Sequence, residues 1–127
     1  MAIGARASNP KARIVAVLGD GTFGFHPSEF DTAVRNKLPF IAVIGNDSAW
    51  NAEYQIQLRD FGSDRLTGCE LLPSTRYDQV VEAFGGYGEM VTTESELSDA
   101  LERAYQKNVP SCINVIMNRN PAPAIHT

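Results

Sequence analysis

Short apolar runs alternate with segments of helical period along most of this chain. Arg13-Ile14-Val15-Ala16-Val17-Leu18 is β-branched and stopped by Gly19-Asp20-Gly21, and Phe40-Ile41-Ala42-Val43-Ile44 is a second run, stopped by Gly45-Asn46-Asp47. Between them the pattern predicts a helix from His26 to Lys37. Pro27 suits a first turn, Glu29 complements the helix dipole, and Phe30, Ala33 and Val34 fall on one face. This is a βαβ unit. Ser48 to Gln57 predicts a short helix capped by Ser48, with Trp50, Tyr54 and Gln57 along one side. Residues 58–76 are polar and irregular, either a functional segment or a surface loop.

From Tyr77 the alternation resumes. Val80, Val81 and Phe84 form a helical stripe ended by Gly85-Gly86, and Gly88 to Val91 is a short strand. Thr93-x-x-Glu96 is a capping box for a helix through Leu97, Ala100, Leu101 and Ala104 to Lys107. Cys112 to Met117 is the last buried strand, and the residues from Asn118, rich in Pro and Ala, read as a loose tail holding His126. The expected fold is α/β, a doubly wound, mostly parallel sheet in one domain over residues 1–118, with a tail over 119–127.

Parallel strands joined by a crossover end at the same edge of the sheet, so Asp20 and Asn46-Asp47 should be neighbours despite about 25 intervening positions. Open α/β sheets bind ligands at that edge. A carboxylate on one strand end with an amide or carboxylate on the next suits magnesium, which accepts few protein oxygens and takes other ligands from water and phosphate. Gly19 and Gly21 allow close backbone approach, and the N–H groups of Gly21, Thr22 and Phe23 are placed to donate to a phosphate. The pattern predicts magnesium plus diphosphate.

The same residues carry a family resemblance. Gly19-Asp20-Gly21, followed at this distance by Asn46-Asp47, resembles the thiamine diphosphate motif of acetolactate synthase-like enzymes, and Glu29-Phe30-Asp31-Thr32-Ala33, Leu38-Pro39-Phe40-Ile41 and the helix from Tyr77 to Gly86 match further family segments. The resemblance covers most of residues 3–118. It implies the C-terminal, diphosphate-binding domain of such an enzyme, with Asp20 as a magnesium ligand, a side-chain oxygen from Asp47 and a backbone carbonyl from Ala49. Asp47 stands where the family usually has Asn, so Asn46, Asp47 or both remain candidate ligands. Trp50 and Asn51 are implied to line the cofactor site. Glu53 falls where some decarboxylases of the superfamily carry a proton-transferring glutamate, against the plainer reading of a solvated helix carboxylate. The resemblance also implies carbon–carbon cleavage or ligation on 2-keto acids or acyl-CoA-type substrates. It requires a pyrimidine-binding domain on the same or another chain, without which the chain is expected to be inactive. The small, apolar Met1 to Ala7, read as a buried helix end, then suggests truncation at the N-terminus or one piece of a split enzyme.

Composition narrows the alternatives. The chain has 127 residues, a net charge of −4 and 43% hydrophobic residues, ordinary for one soluble domain. With acid in excess and no Lys/Arg cluster, neither nucleic acid nor an anionic membrane surface is the expected partner. No apolar run of about 18 residues and no leader pattern is present, and the cytoplasm is the simplest address. Cys69 and Cys112 lack metal-ligand spacing and are expected to be buried thiols. His26 reads as a locally packed helix-start residue or a lining of the cofactor site. A haloacid-dehalogenase-like phosphatase would need Asn-Asp directly after the glycines and an upstream Asp-x-Asp strand, and both are missing. A non-catalytic phosphate- or nucleotide-binding module is the remaining alternative. An uncovered sheet edge near the start would drive formation of a homo-oligomer.

Overall fold

All four apolar runs pair in one parallel sheet in the computed structural model, which describes residues 1–121. The strands are β1 (Val15–Gly19), β2 (Ile41–Asn46), β3 (Tyr87–Val91) and β4 (Ser111–Ile116), in the spatial order β1-β2-β4-β3. The doubly wound expectation holds. Helices α1 (Ala2–Ser8), α2 (Asp20–Phe23), α3 (Glu29–Arg35) and α5 (Tyr77–Ala83) pack on one face, and α6 (Glu94–Lys107) covers the other. Forward steps along the sheet thus use one face and the backward step from β3 to β4 uses the opposite face, which gives every crossover the same hand.

The two faces have separate cores. Phe23, Phe30, Phe40 and Tyr77 form a chain of tilted or edge-on rings with centroids 5.0 to 5.8 Å apart, tying α2, α3 and α5 to the start of β2. Burying each phenylalanine is worth about 1.5–3 kcal/mol. On the other face, Ala100 and Ala104 let α6 approach Ile41, Val91 and Ile113. Register places Val15 and Val17 on this second face beside Ile41 and Val43, but α6 does not reach them, and Val17 is 79% exposed. β1 is an open edge with an apolar face.

Two glycines set the join between α5 and β3. A Cβ on Gly88 would lie 2.2 Å from the Asp78 carbonyl oxygen, and one on Gly86 would lie 2.5 Å from that of Pro110. Gly85 ends the helix at φ +89°.

Several local expectations are corrected. The helix expected from His26 to Lys37 is shorter, Glu29–Arg35, and a separate single turn at Asp20–Phe23 precedes it. β2 runs two residues past Ile44 and carries Asn46 into the sheet. Ser48 does not cap α4 (Asn51–Phe61); it sits at φ +59°, and Trp50 precedes the helix. Residues 58–76 are less irregular than expected, since α4 continues to Phe61, a 3-10 turn follows at Ser63–Arg65, and Glu70 bridges antiparallel to Ala49. No residue of α1 is fully buried; only Ala2 and Ile3 touch the core. Residues 118–121 are docked against the carboxyl edge of the sheet, as described below, while the rest of the expected tail, with His126, lies outside the described residues. Glu96 completes the capping box by accepting from the Thr93 N–H at 3.1 Å. Cys69 and Cys112 are buried free thiols. No described helix is long and apolar enough to cross a membrane.

Candidate metal centre

The carboxyl ends of β1, β2 and β4 lie level, with Gly19 opposite Gly45 and Gly45 opposite Val115. Asp20 follows directly, 2% exposed. Its Oδ1 accepts from the Gly21 N–H at 2.8 Å, whereas Oδ2 is buried with no hydrogen-bond partner among the described residues. Burial pushes this carboxyl above its ordinary range; the Gly21 amide opposes that, the Asp47 charge adds to it, and the Ser48 and Ala49 amides oppose it. An unpartnered buried carboxylate oxygen facing a second carboxylate is a poor arrangement for the protein alone. It suits a bound cation.

The opposite wall is residues 46–49. Asn46 is 1% exposed, and its amide is fully engaged: Nδ2 donates to the Thr75 carbonyl and to Asn114 Oδ1, both at 3.1 Å, and Oδ1 accepts from the Ser48 N–H at 3.2 Å. Asp47 is half-buried and acts on Asp20 through its charge. Around the Ala49–Glu70 bridge, Leu71 donates to the Ser48 carbonyl and Trp50 to the Cys69 carbonyl, at 2.9 and 2.8 Å. These bonds flank the pair, so the N–H and C=O of Ala49 itself point away from Glu70. The Ala49 amide accordingly acts on Asp20.

Among the described residues, no three His, Cys, Asp or Glu side chains gather as a metal cage. What the structure brings together is the Asp20 and Asp47 carboxylates beside the Ala49 backbone, oxygen chemistry that fits a hard cation completing its shell with water and phosphate oxygens.

The remaining predicted residues line one open cleft of about 1320 Å³: Gly19, Asp20, Gly21, Thr22, Asp47, Ala49, Trp50, Asn51 and Glu53 all face it. Asn46 lies behind that wall. Glu53 and Thr22 are exposed. Trp50 lies over Gly21, where a Cβ would come within 2.8 Å of the indole, and Phe25 meets Trp50 edge-on at 5.1 Å. Gly21 is therefore required by the indole, and its N–H is already given to Asp20. Asn51 donates to the Asn120 carbonyl at 2.8 Å and accepts from Gln55 at 3.1 Å. Two smaller hollows, of about 230 and 380 Å³, lie at the opposite edge of the sheet and have no carboxylate in their linings.

Three contributors escape sequence reasoning. Asn114 on β4 and Asp78 on α5 continue the buried polar chain, with Asn114 Nδ2 donating to Asp78 Oδ1 at 3.1 Å and Arg76 Nε donating to the same oxygen at 3.0 Å. Burial pushes the Asp78 carboxyl up, but the Arg76 and Asn114 hydrogen bonds and the Arg76 charge outweigh it and hold it below the usual range. A polar residue in the middle of Cys112-Ile113-Asn114-Val115-Ile116 was the available signal. Arg119, which reaches residues 47 and 48, has none, since it stands in a Pro- and Ala-rich stretch.

Comparison with known proteins agrees with this geometry. The family model for "Thiamine pyrophosphate enzyme, C-terminal TPP binding domain" matches residues 1–115. A probable acetolactate synthase of Mycobacterium bovis and the acetolactate synthase large subunit of Mycobacterium tuberculosis are each 40% identical over 121 residues, covering 95% of this chain and 22% of theirs. A 2-hydroxyacyl-CoA lyase 2 of Danio rerio is 35% identical over 119 residues, covering 92% of this chain and 18% of its own. The chain thus spans about a fifth of the length of these relatives. In fold it is similar to a thiamine diphosphate-dependent 4-hydroxybenzoylformate decarboxylase of Rhodococcus jostii, with TM-score 0.83 and 22% identity over 92% of this chain and 22% of that one. A benzoylformate decarboxylase of Polynucleobacter necessarius gives the same TM-score at 24% identity, over 97% of this chain and 23% of that one. With the motif, the parallel sheet and the profile match in agreement, this chain belongs to the thiamine pyrophosphate enzymes, as their C-terminal TPP-binding domain.

Proposed function

We propose that this chain supplies the diphosphate- and magnesium-binding half of an acetolactate synthase-like carboligase or decarboxylase acting on 2-keto acids or acyl-CoA-type substrates. The observation that carries the magnesium reading is the unpartnered Asp20 Oδ2, buried beside Asp47 where β1 and β2 end together. Asp20 and Asp47 would each give an oxygen, and Ala49 its carbonyl. Asn46, its amide committed to Thr75, Asn114 and Ser48, holds the loop rather than the ion.

Thiamine diphosphate supplies the electron sink for cleaving or forming the bond next to the substrate carbonyl. The protein's share is positioning. The cation would neutralise the diphosphate against two carboxylates, which a site with this much negative charge could not otherwise accept. Gly19, Thr22 and Asn51 line the diphosphate end, and Trp50, held by Gly21 and Phe25, gives a rigid wall. Glu53, exposed in the same cleft, would be the group to hold or pass a proton at its carboxylate. A pyrimidine-binding domain, on the same or another chain, would close the cleft and complete the catalytic apparatus, and the chain alone would have no turnover.

The test is calorimetric titration of thiamine diphosphate into the purified chain with and without magnesium, with Asp20→Ala as control. Magnesium-dependent binding that is lost in the variant is the expected result. Binding that ignores magnesium would instead favour a backbone-only phosphate module.

A further inference from the structure

We infer that Arg119 is a positioning residue for the metal loop, locking residues 47–49 in the one conformation that turns the Ala49 backbone toward Asp20. The inference rests on the magnesium reading above and extends it to a residue outside the strand-end motif.

Its basis is the backbone of the loop. Ser48 sits at φ +59°, a left-handed conformation that a non-glycine residue keeps only when its surroundings hold it there. The kink lets one planar group reach two successive carbonyls. Arg119 does so: Nη2 donates to the Ser48 carbonyl at 2.9 Å, and Nε reaches the Asp47 carbonyl at 3.4 Å. The third side of the guanidinium is fixed by Glu70 at 2.9 Å, and its face lies over Tyr54, 5.2 Å from the ring centroid.

Glu70 is also the bridge partner of Ala49, so the guanidinium spans both strands of the small antiparallel pair that orients the Ala49 peptide. Side chain and backbone hold the same geometry from opposite ends. The main chain leading to Arg119 is anchored as well, since Met117 donates to the Asn46 carbonyl at 2.9 Å and the Asn120 carbonyl accepts from Asn51. The segment after β4 is therefore a strap across the loop. Lysine could not replace the fork, because a single ammonium cannot satisfy two carbonyls and a carboxylate in one plane.

Amide hydrogen exchange on the cofactor-free chain tests the lock without any ligand. In Arg119→Ala, the Ser48, Trp50 and Leu71 amides should exchange about tenfold faster or more, the equivalent of losing about 1.4 kcal/mol of local protection, while amides of α6 keep their rate. Arg119→Lys should recover only part of this, and Glu70→Gln, which leaves both carbonyl bonds in place, should stay close to the parent. Titration with magnesium and thiamine diphosphate should then show affinity reduced about 10- to 100-fold in Arg119→Ala, in the range of other groups that orient metal ligands. Parent-like exchange of the loop in Arg119→Ala overturns the lock. If the parent binds but Arg119→Ala binds equally well, the positioning role is overturned and the cofactor reading stands. If the parent shows no magnesium-dependent binding, the metal-positioning role is overturned, and faster loop exchange would leave Arg119 as a purely structural clamp.

Discussion

Replacing Asp20 with asparagine should make the metal-free chain more stable while removing its capacity for magnesium. The buried Oδ2 has no partner, and an unsatisfied buried polar group costs about 1–3 kcal/mol, more when charged. Asparagine keeps the acceptor for the Gly21 N–H, removes the charge and ends the repulsion from Asp47. Part of the gain is returned, because the new amide N–H group faces the Ser48 and Ala49 amides. The net expectation is about 1 kcal/mol, which for a domain of this size raises Tm by roughly 3–5 °C. Because the folded carboxyl is raised above its unfolded value, its stabilising contribution is fully present below the ordinary carboxylate range and is lost as pH rises through the folded value. The gap between Asp20→Asn and the parent should therefore be widest at neutral pH and close in acid. Calorimetric melting in chelator at several pH values measures it. Adding magnesium and thiamine diphosphate should invert the order, since ligand at 100 times Kd contributes about 2.7 kcal/mol to the parent alone. A variant that melts no higher than the parent at pH 7 in chelator, or a gap that persists unchanged in acid, would refute the reasoning.

Gly88→Ala should lower Tm by 5 °C or more, because the added methyl meets two backbone atoms of Asp78 within 2.6 Å and such overpacking costs about 1–3 kcal/mol; thermal melts decide it. Arg103 first, and the Tyr87 hydroxyl with it, hold the Glu89 carboxyl below its ordinary value, so its contribution is present above the unfolded value and lost as pH falls through the folded one. Glu89→Gln should accordingly cost about 0.5–1 kcal/mol at pH 7, modest because Arg103 is 48% exposed, and little in strong acid, as read from urea unfolding at both pH values. The parent is expected to self-associate through the open β1 face, and Val17→Lys to keep the fold and sediment as a smaller species; a parent that is monomeric across concentration in sedimentation velocity would count against this.

The parts of this molecule legible in the sequence were those set by local pattern. The β-branched runs before Gly19 and Gly45 mark β1 and β2, and crossover geometry is enough to bring Asp20 and Asp47 together. The capping box at Thr93 was local chemistry and held. What could not be read was whatever depends on distant partners. The hydrogen bond from the Asn46 amide to Asn114, 68 positions later, has no local signal. Ser48 has the composition of a helix cap, but it sits left-handed before the helix, its carbonyl accepting from the distant Leu71 and Arg119. Gly21 reads locally as a glycine for phosphate approach, and the indole of Trp50, nearly thirty positions on, requires it equally well.

The strand order has a consequence for biosynthesis. β4 is the last strand along the chain, yet it lies between β2 and β3, so nothing hydrogen-bonds the first half of the sheet to β3 until residues 111–116 have been made. The same short segment delivers Asn114 to Asn46, and Arg119 follows three residues after its end. Joining of the sheet and bracing of the loop at residues 47–49 are thus a single late event. A nascent chain emerging N-terminal first would carry Asp20 and Asp47 long before it could hold them in place, so the pocket matures only as the sheet closes.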